Sequence, residues 1–166
     1  MPAESARTRT ISWEDPAAAA QRGLELGGLA YIAAIRDGEI AKAPIQELMG
    51  FDLIAVEEGR VVFACEPGEQ HFNPMNSVHG GLALTMLDSA MGACVHTTLE
   101  QGRFYSSLET KVNFVRPIGA DTGRIEAEGK VVHRGSKIAT SEGHLRAAET
   151  GKLLAHGTST CMILGG

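Results

Sequence analysis

The apolar positions change period along the chain, and those changes divide it into elements. After Pro16, "AAAAQRGLELGGLAYIAAIRDGEI" sets Leu24, Tyr31 and Ile35 on one face of an amphipathic helix. Gly27 and Gly28 weaken that helix, since an interior glycine costs about 1 kcal/mol relative to alanine. "APIQELMG" predicts a short helical turn ended by Gly50. "FDLIAVEEGRVVFACEP" reads as two strands joined through Glu57, Glu58 and Gly59. Residues 71–78 form a loop rich in turn residues, and one long apolar helix follows from about His79 to Glu100, with Gly102 closing it. Everything later is strand-like. In "SSLETKVNFV", Leu108, Thr110, Val112 and Phe114 alternate with Ser107, Glu109, Lys111 and Asn113, and Pro117 ends the run. "GRIEAEGKVVHRG" and "SKIATSEGHLRAAE" meet at Gly135, and "ETGK" (149–152) turns the chain into "LLAHGTSTCMIL".

This order is helix, two strands, one long helix, then four strands. Short connections among the later strands favour antiparallel pairing. A single apolar helix beside one sheet is buried most economically if the sheet curls around it. The expectation is an α+β domain over residues 17–166, with a helical region at 17–43 and a flexible arm at 1–16.

Composition narrows the chemistry. With 166 residues the chain can bury roughly 70% of its unfolded surface as one domain. A net charge of −5 argues against a general nucleic-acid binder, because phosphate affinity needs a basic face. Cys65, Cys94 and Cys161 are odd in number and far apart, which points to buried thiols rather than disulfides or zinc ligands. The histidines lack metal-ligand spacing. The first residues carry arginines but no apolar segment after them, and no run approaches a membrane span. These features together predict a cytoplasmic protein without membrane or nucleic-acid partners.

One residue breaks the pattern of the long helix. Asp88 sits among Ala83, Leu84, Met86, Leu87, Ala90, Met91, Ala93, Cys94 and Val95, which leave it almost no polar face to share. A buried acid is costly unless paired, and functional sites are where such costs tend to occur. Gly81 lies seven residues earlier, hence on the same helix face but about 10 Å away along the axis. Its N–H belongs to the first turn, which lacks intrahelical partners and carries the positive end of the dipole. Such a group can polarise a carbonyl, and glycine admits one closely. A carbonyl held there cannot also reach the Asp88 of the same helix. If both act on one carbon, the acid comes from a second, antiparallel copy, so the spacing predicts a two-fold dimer.

The stretch His71-Phe72-Asn73-Pro74-Met75-Asn76-Ser77-Val78-His79-Gly80-Gly81, followed by Asp88, resembles the motif of hotdog-fold acyl-CoA thioesterases of the phenylacetate-degradation-related (PaaI-type) branch. The resemblance continues through "SSLETKVNFVRPI", "VVHRGSKIATSEG" and "GKLLAHGTSTCMIL", and so spans residues 44–164. Asn76 stands where that motif usually has glycine; asparagine is the commonest other resident of left-handed backbone. The resemblance implies a five- or six-stranded antiparallel sheet around one helix, and a homodimer that pairs again into a tetramer. It implies hydrolysis of an aryl- or medium-chain acyl-CoA without metal or organic cofactor. Asp88 then acts as general base or nucleophile, Gly81 polarises the carbonyl, Asn73 and His79 orient carbonyl and loop, and Ser107 places the water. Asn73 and Gly81 come from one subunit, Asp88 and Ser107 from the other. Gly80 adjoins the substrate, and the basic turn Arg134, Gly135, Ser136 and Lys137 is a candidate holder of the coenzyme A phosphates.

Each residue also has a plainer reading. Asn73 can close an Asx turn, His79 can begin a helix, Ser107 can be surface, and 134–137 can be a solvated hairpin tip. Two other activities fit the fold: an acyl-CoA-binding sensor without catalysis, and an acyl-CoA hydratase or dehydratase.

Overall fold

The computed structural model describes residues 7–165. Pro16 opens α1 (Pro16–Glu25), where the Asp15 carboxylate caps the first turn by accepting from the Ala17 N–H at 2.9 Å. The amphipathic stretch then breaks, and α2 (Gly28–Arg36) starts afresh. Packing is the reason. A Cβ on Gly28 would lie 1.8 Å from the His96 carbonyl oxygen, and the Gly28 N–H donates to the Leu99 carbonyl at 2.9 Å. Only glycine lets α2 approach the end of the central helix this closely. Tyr31 and Ile35 pack on the core as the period required, while Leu24 stays exposed.

After α3 (Pro44–Met49), Gly50 turns the chain through left-handed backbone (φ 70°) into β1 (Phe51–Glu57), which pairs with β2 (Arg60–Cys65). A single 3₁₀ turn, Glu69–His71, leads to the loop before α4 (Gly80–His96). The helix ends four residues earlier than its apolar pattern suggested. Thr97 and Thr98 return their hydroxyls to the Cys94 and Val95 carbonyls at 2.6 and 2.7 Å. Thr97 Oγ1 also accepts from the Gly59 N–H at 2.8 Å, tying the helix end to the β1–β2 turn. Gly102 (φ 77°) serves the next turn instead.

β3 (Phe104–Phe114), β4 (Ile125–Arg134), β5 (Ile138–Ala147) and β6 (Leu153–Leu164) complete the sheet. Among the described residues it has six strands, all antiparallel, in the order β1-β2-β4-β5-β6-β3. All six touch α4, so the α+β architecture of a helix enclosed by one sheet is the observed one. Leu82, Met86, Leu87, Ala90, Met91 and Cys94 fill the enclosed space and are fully buried. β4 rests almost directly on the helix backbone, since a Cβ on Gly129 would meet the Ala90 carbonyl at 2.2 Å. All three cysteines are free and buried. Burial pushes the Cys94 thiol up to about 12 and the Cys65 thiol up to about 11, so both stay protonated and inert.

One strand departs from its alternation. Ser107 pairs with Cys161 and Glu109 with Thr160, so Leu108 is an inserted bulge residue. Beyond it Thr110 and Val112 are partly buried, whereas Leu108 and Phe114 are 54% and 57% exposed. Of the face expected to carry Leu108, Thr110, Val112 and Phe114, the bulge removes Leu108, and the other three stay in register. Ser107, expected on the opposite face from Thr110, pairs with Cys161 as Thr110 pairs with Ser159, so the bulge puts the two on one face.

Candidate active site

The loop before α4 is held by its own side chains. Asn73 Oδ1 accepts from the Met75 N–H at 2.9 Å and the Ser77 N–H at 3.3 Å, while Nδ2 donates to Ser77 Oγ at 3.0 Å. This is an Asx-type turn, so the Asn73 amide is engaged in shaping the loop. Asn76 adopts φ 60°, the left-handed conformation that its glycine-like position demands. The Val78 N–H donates to the Ile118 carbonyl and the His79 N–H to the His71 carbonyl, at 2.9 and 2.8 Å. These bonds fix the direction in which the helix starts.

His79 then caps α4. Its backbone is extended and its Nδ1 accepts from the Gly81 N–H at 2.8 Å. The donor that the sequence marked for a carbonyl thus already has an acceptor, on an exposed side chain. Gly80 lies beneath Phe114: a Cβ there would stand 3.1 Å from the ring. The end of β3 therefore crosses the start of α4.

Two turns further along, Asp88 is half-buried and its Oδ1 accepts from Thr110 Oγ1 at 2.7 Å. The helix does leave it a face to share, contrary to the apolar pattern: Gly81, Leu84, Thr85, Asp88 and Ser89 form a stripe that the sheet leaves open, with Leu84 41% exposed. Thr110 is a residue the sequence did not single out, because its contact with Asp88 is made by the packing of β3 on α4 and has no local signal. Ser159 donates to the Glu109 carbonyl at 2.9 Å and its oxygen lies 3.3 Å from that of Thr110. Each hydroxyl has one proton, and those two are used on the Glu109 carbonyl and on Asp88. The row continues to Cys161, whose Sγ is 3.9 Å from Ser159 Oγ. Burial raises the Cys161 pKa, against hydrogen bonds from Ser159 and Ser107.

The basic turn behaves differently from the helix start. Arg134 donates to Glu100 Oε2 at 2.8 Å and to the Gly135 carbonyl at 3.0 Å, so its guanidinium is already matched with an acid. Ser136 and Lys137 are exposed at the tip, and the Gly135 N–H closes the hairpin on the Ile138 carbonyl. Beside His79 and Gly81 a cavity of about 540 Å³ opens, walled by Leu48, Met49, Phe72 and Leu82 among others. Asp88 of the same chain is not among its lining residues.

A helix enclosed by an antiparallel sheet, with a carboxylate two turns from a glycine-opened N-terminus, defines the hotdog class. Residues 75–154 match the thioesterase superfamily model. The matched stretch runs from the loop before α4 to the first residues of β6, and the chemistry of that superfamily is thioester hydrolysis. Human acyl-coenzyme A thioesterase 13 is 28% identical over 110 residues, 65% of this chain and 76% of the relative. The 1,4-dihydroxy-2-naphthoyl-CoA hydrolase of Listeria monocytogenes is 26% identical over 119 residues, covering 72% and 93%. Among solved structures, a phenylacetic acid degradation-related protein from Ralstonia eutropha JMP134 superposes with a TM-score of 0.71 at 29% identity, covering 80% of this chain and 98% of that one. The E. coli PaaI protein shares the fold with a TM-score of 0.72 at 22% identity, covering 85% and 97%.

Proposed function

We propose that this protein is an acyl-CoA thioesterase acting as a homodimer with composite sites, Asp88 serving as general base. The observation that carries this reading is the Asp88 carboxylate, oriented by Thr110 on an open helix stripe and two turns from the Gly81 N–H. Among the described residues β3 is an unpaired edge of the sheet, with Leu108 and Phe114 exposed. Long unpaired edges with apolar side chains favour strand addition, and a two-fold axis there would pair β3 with its copy. Gly81 of one protomer would then face Asp88 of its partner.

In this arrangement the thioester oxygen displaces the His79 ring from the Gly81 N–H, a small cost for an exposed side chain that can turn into water. The helix N-terminus then stabilises the negative charge that builds on that oxygen. Asp88, held through Oδ1 by Thr110, takes a proton from water through its other oxygen as the water oxygen bonds the carbonyl carbon. When the carbon–sulfur bond breaks, the proton passes to the departing thiolate. The products are a free acid and coenzyme A, with nothing oxidised or reduced. An aryl or medium-chain acyl group suits the apolar walls of the adjoining cavity.

The test is release of free thiol from a panel of aryl and aliphatic acyl-CoAs, with Asp88→Asn in parallel. Wild-type turnover that falls at least about 10²-fold in the variant, with substrate still bound, is expected. Equal rates for the two proteins would remove Asp88 from the mechanism. No thiol from any substrate, despite binding, would favour a sensor.

A further inference from the structure

The segment before α1 is part of the same cavity as the start of α4. Residues 7–15 form no helix or strand, yet Arg9 is fixed: its guanidinium donates to the Leu48 carbonyl at 3.1 Å and the Glu47 carbonyl at 3.2 Å. Carbonyls in the last turn of a helix lack intrahelical partners and carry the negative end of the dipole, so a cation seated there is held by both. Arg7 adds an ion pair with Glu69, at 2.7 Å, across the 3₁₀ turn. Between α3 and that turn the arm is therefore tied at two points, and Ile11 lines the cavity with Leu48, Met49, Phe72 and Leu82.

Arg9, His71 and His79, three of the polar residues around this space, are turned to the backbone. Besides Arg9, His71 is locked, with its Nδ1 accepting from the Gly68 N–H at 3.0 Å and its Nε2–H donating to the Met49 carbonyl at 2.9 Å. What remains toward the interior is mainly apolar, and its volume falls in the range of small-molecule pockets. Its border also includes His79 and Gly81, where the proposed function puts the thioester carbonyl. We infer that this cavity is the acyl compartment and that Ile11, supplied by the arm and held in place by Arg9, limits the length of acyl group it accepts. This rests on the thioesterase reading for the position of the carbonyl, but the occupancy of the pocket can be measured without turnover.

The experiment is calorimetric titration of the full-length protein with straight-chain alkyl-CoA thioethers of increasing length, which cannot be hydrolysed. Each methylene the pocket buries strengthens binding about fourfold, until the chain meets the wall and the gain stops. Ile11→Trp should bring that stopping point forward by two or more methylenes, and Ile11→Ala should move it to longer chains. Arg9→Ala, which unties the arm, should flatten the last steps of the ladder. The same ladder in wild type and both Ile11 variants, or no dependence on chain length at all, would overturn the assignment. So would an equal loss in Arg9→Ala for every ligand including coenzyme A itself, which would make Arg9 a phosphate contact. A wild type that climbs the ladder but releases no thiol from the acyl-CoA panel would sink the thioesterase reading and leave the pocket standing.

Discussion

Thr110 orients the acid through a single short hydrogen bond, so its contribution can be isolated. Valine keeps the volume and removes the hydroxyl. A hydrogen bond to a charged group is worth about 1.5–3 kcal/mol, and Thr110→Val should lower kcat roughly 10- to 100-fold with little change in KM. Thr110→Ser should recover most of the loss; a valine variant with wild-type kcat would show that Asp88 needs no such partner. Two histidines link the fold to acidity. His71 accepts from one backbone group and donates to another, a pattern that only the neutral ring can make. His96 lies between the rings of Tyr31 and Tyr105. Burial holds both below the usual histidine range. The unfolded chain therefore binds protons that the folded one refuses, and stability is full above about pH 6.5 and falls as pH drops below it. Urea midpoints at pH 7.5 and 5.0 should differ, the acid one being lower, with His96→Phe reducing the difference. Identical midpoints would contradict the assignment.

Single elements owe their positions to contacts between backbones. α2 reaches the end of α4 only because residue 28 has no side chain, and a methyl group there would overlap the His96 carbonyl. Gly28→Ala raises helix propensity by about 1 kcal/mol, yet overpacking typically costs 1–3 kcal/mol and should win here. The variant should melt several degrees lower, whereas Gly27→Ala, with open space around the added carbon, should not. Equal melting temperatures would mean that α2 can shift at no cost. At the other end of α4 the His79 cap and the Asn73 turn make the start of the helix rigid. In the proposed mechanism this is the segment that turns the Gly81 N–H from His79 to the thioester oxygen.

At the scale of the molecule, the proposed dimer rests on the edge strand β3. β3 offers eleven residues of backbone with Leu108 and Phe114 exposed, and the open stripe of α4 is bordered by it. A dimer through this edge would cover both. Sedimentation should show a dimer or a multiple of it. Leu108→Lys would place like charges near the two-fold axis and should weaken association and thiol release together, without loss of secondary structure. A monomer that hydrolyses acyl-CoA at full rate would rule out the composite site.

How much of this the sequence determined depends on the range over which each feature is decided. The periods of the helices and strands, the stop at Gly50, the tolerance of Asn76 and the two-turn spacing from Gly81 to Asp88 follow from neighbouring residues. They were legible without coordinates. The Gly27–Gly28 break was visible only as a weakness, since its cause is a carbonyl 68 positions away in the chain, at His96. The bulge at Leu108, the Thr110 bond to Asp88 and the position of β3 beside β6 rather than β4 had no local signal. A one-residue slip in strand pairing reverses every later side chain, and such a slip is decided by the strand opposite. The His79 bond to Gly81 and the arm along the cavity belong to the same kind. Local periodicity named the acid and the donor; only tertiary packing decided what each of them touches.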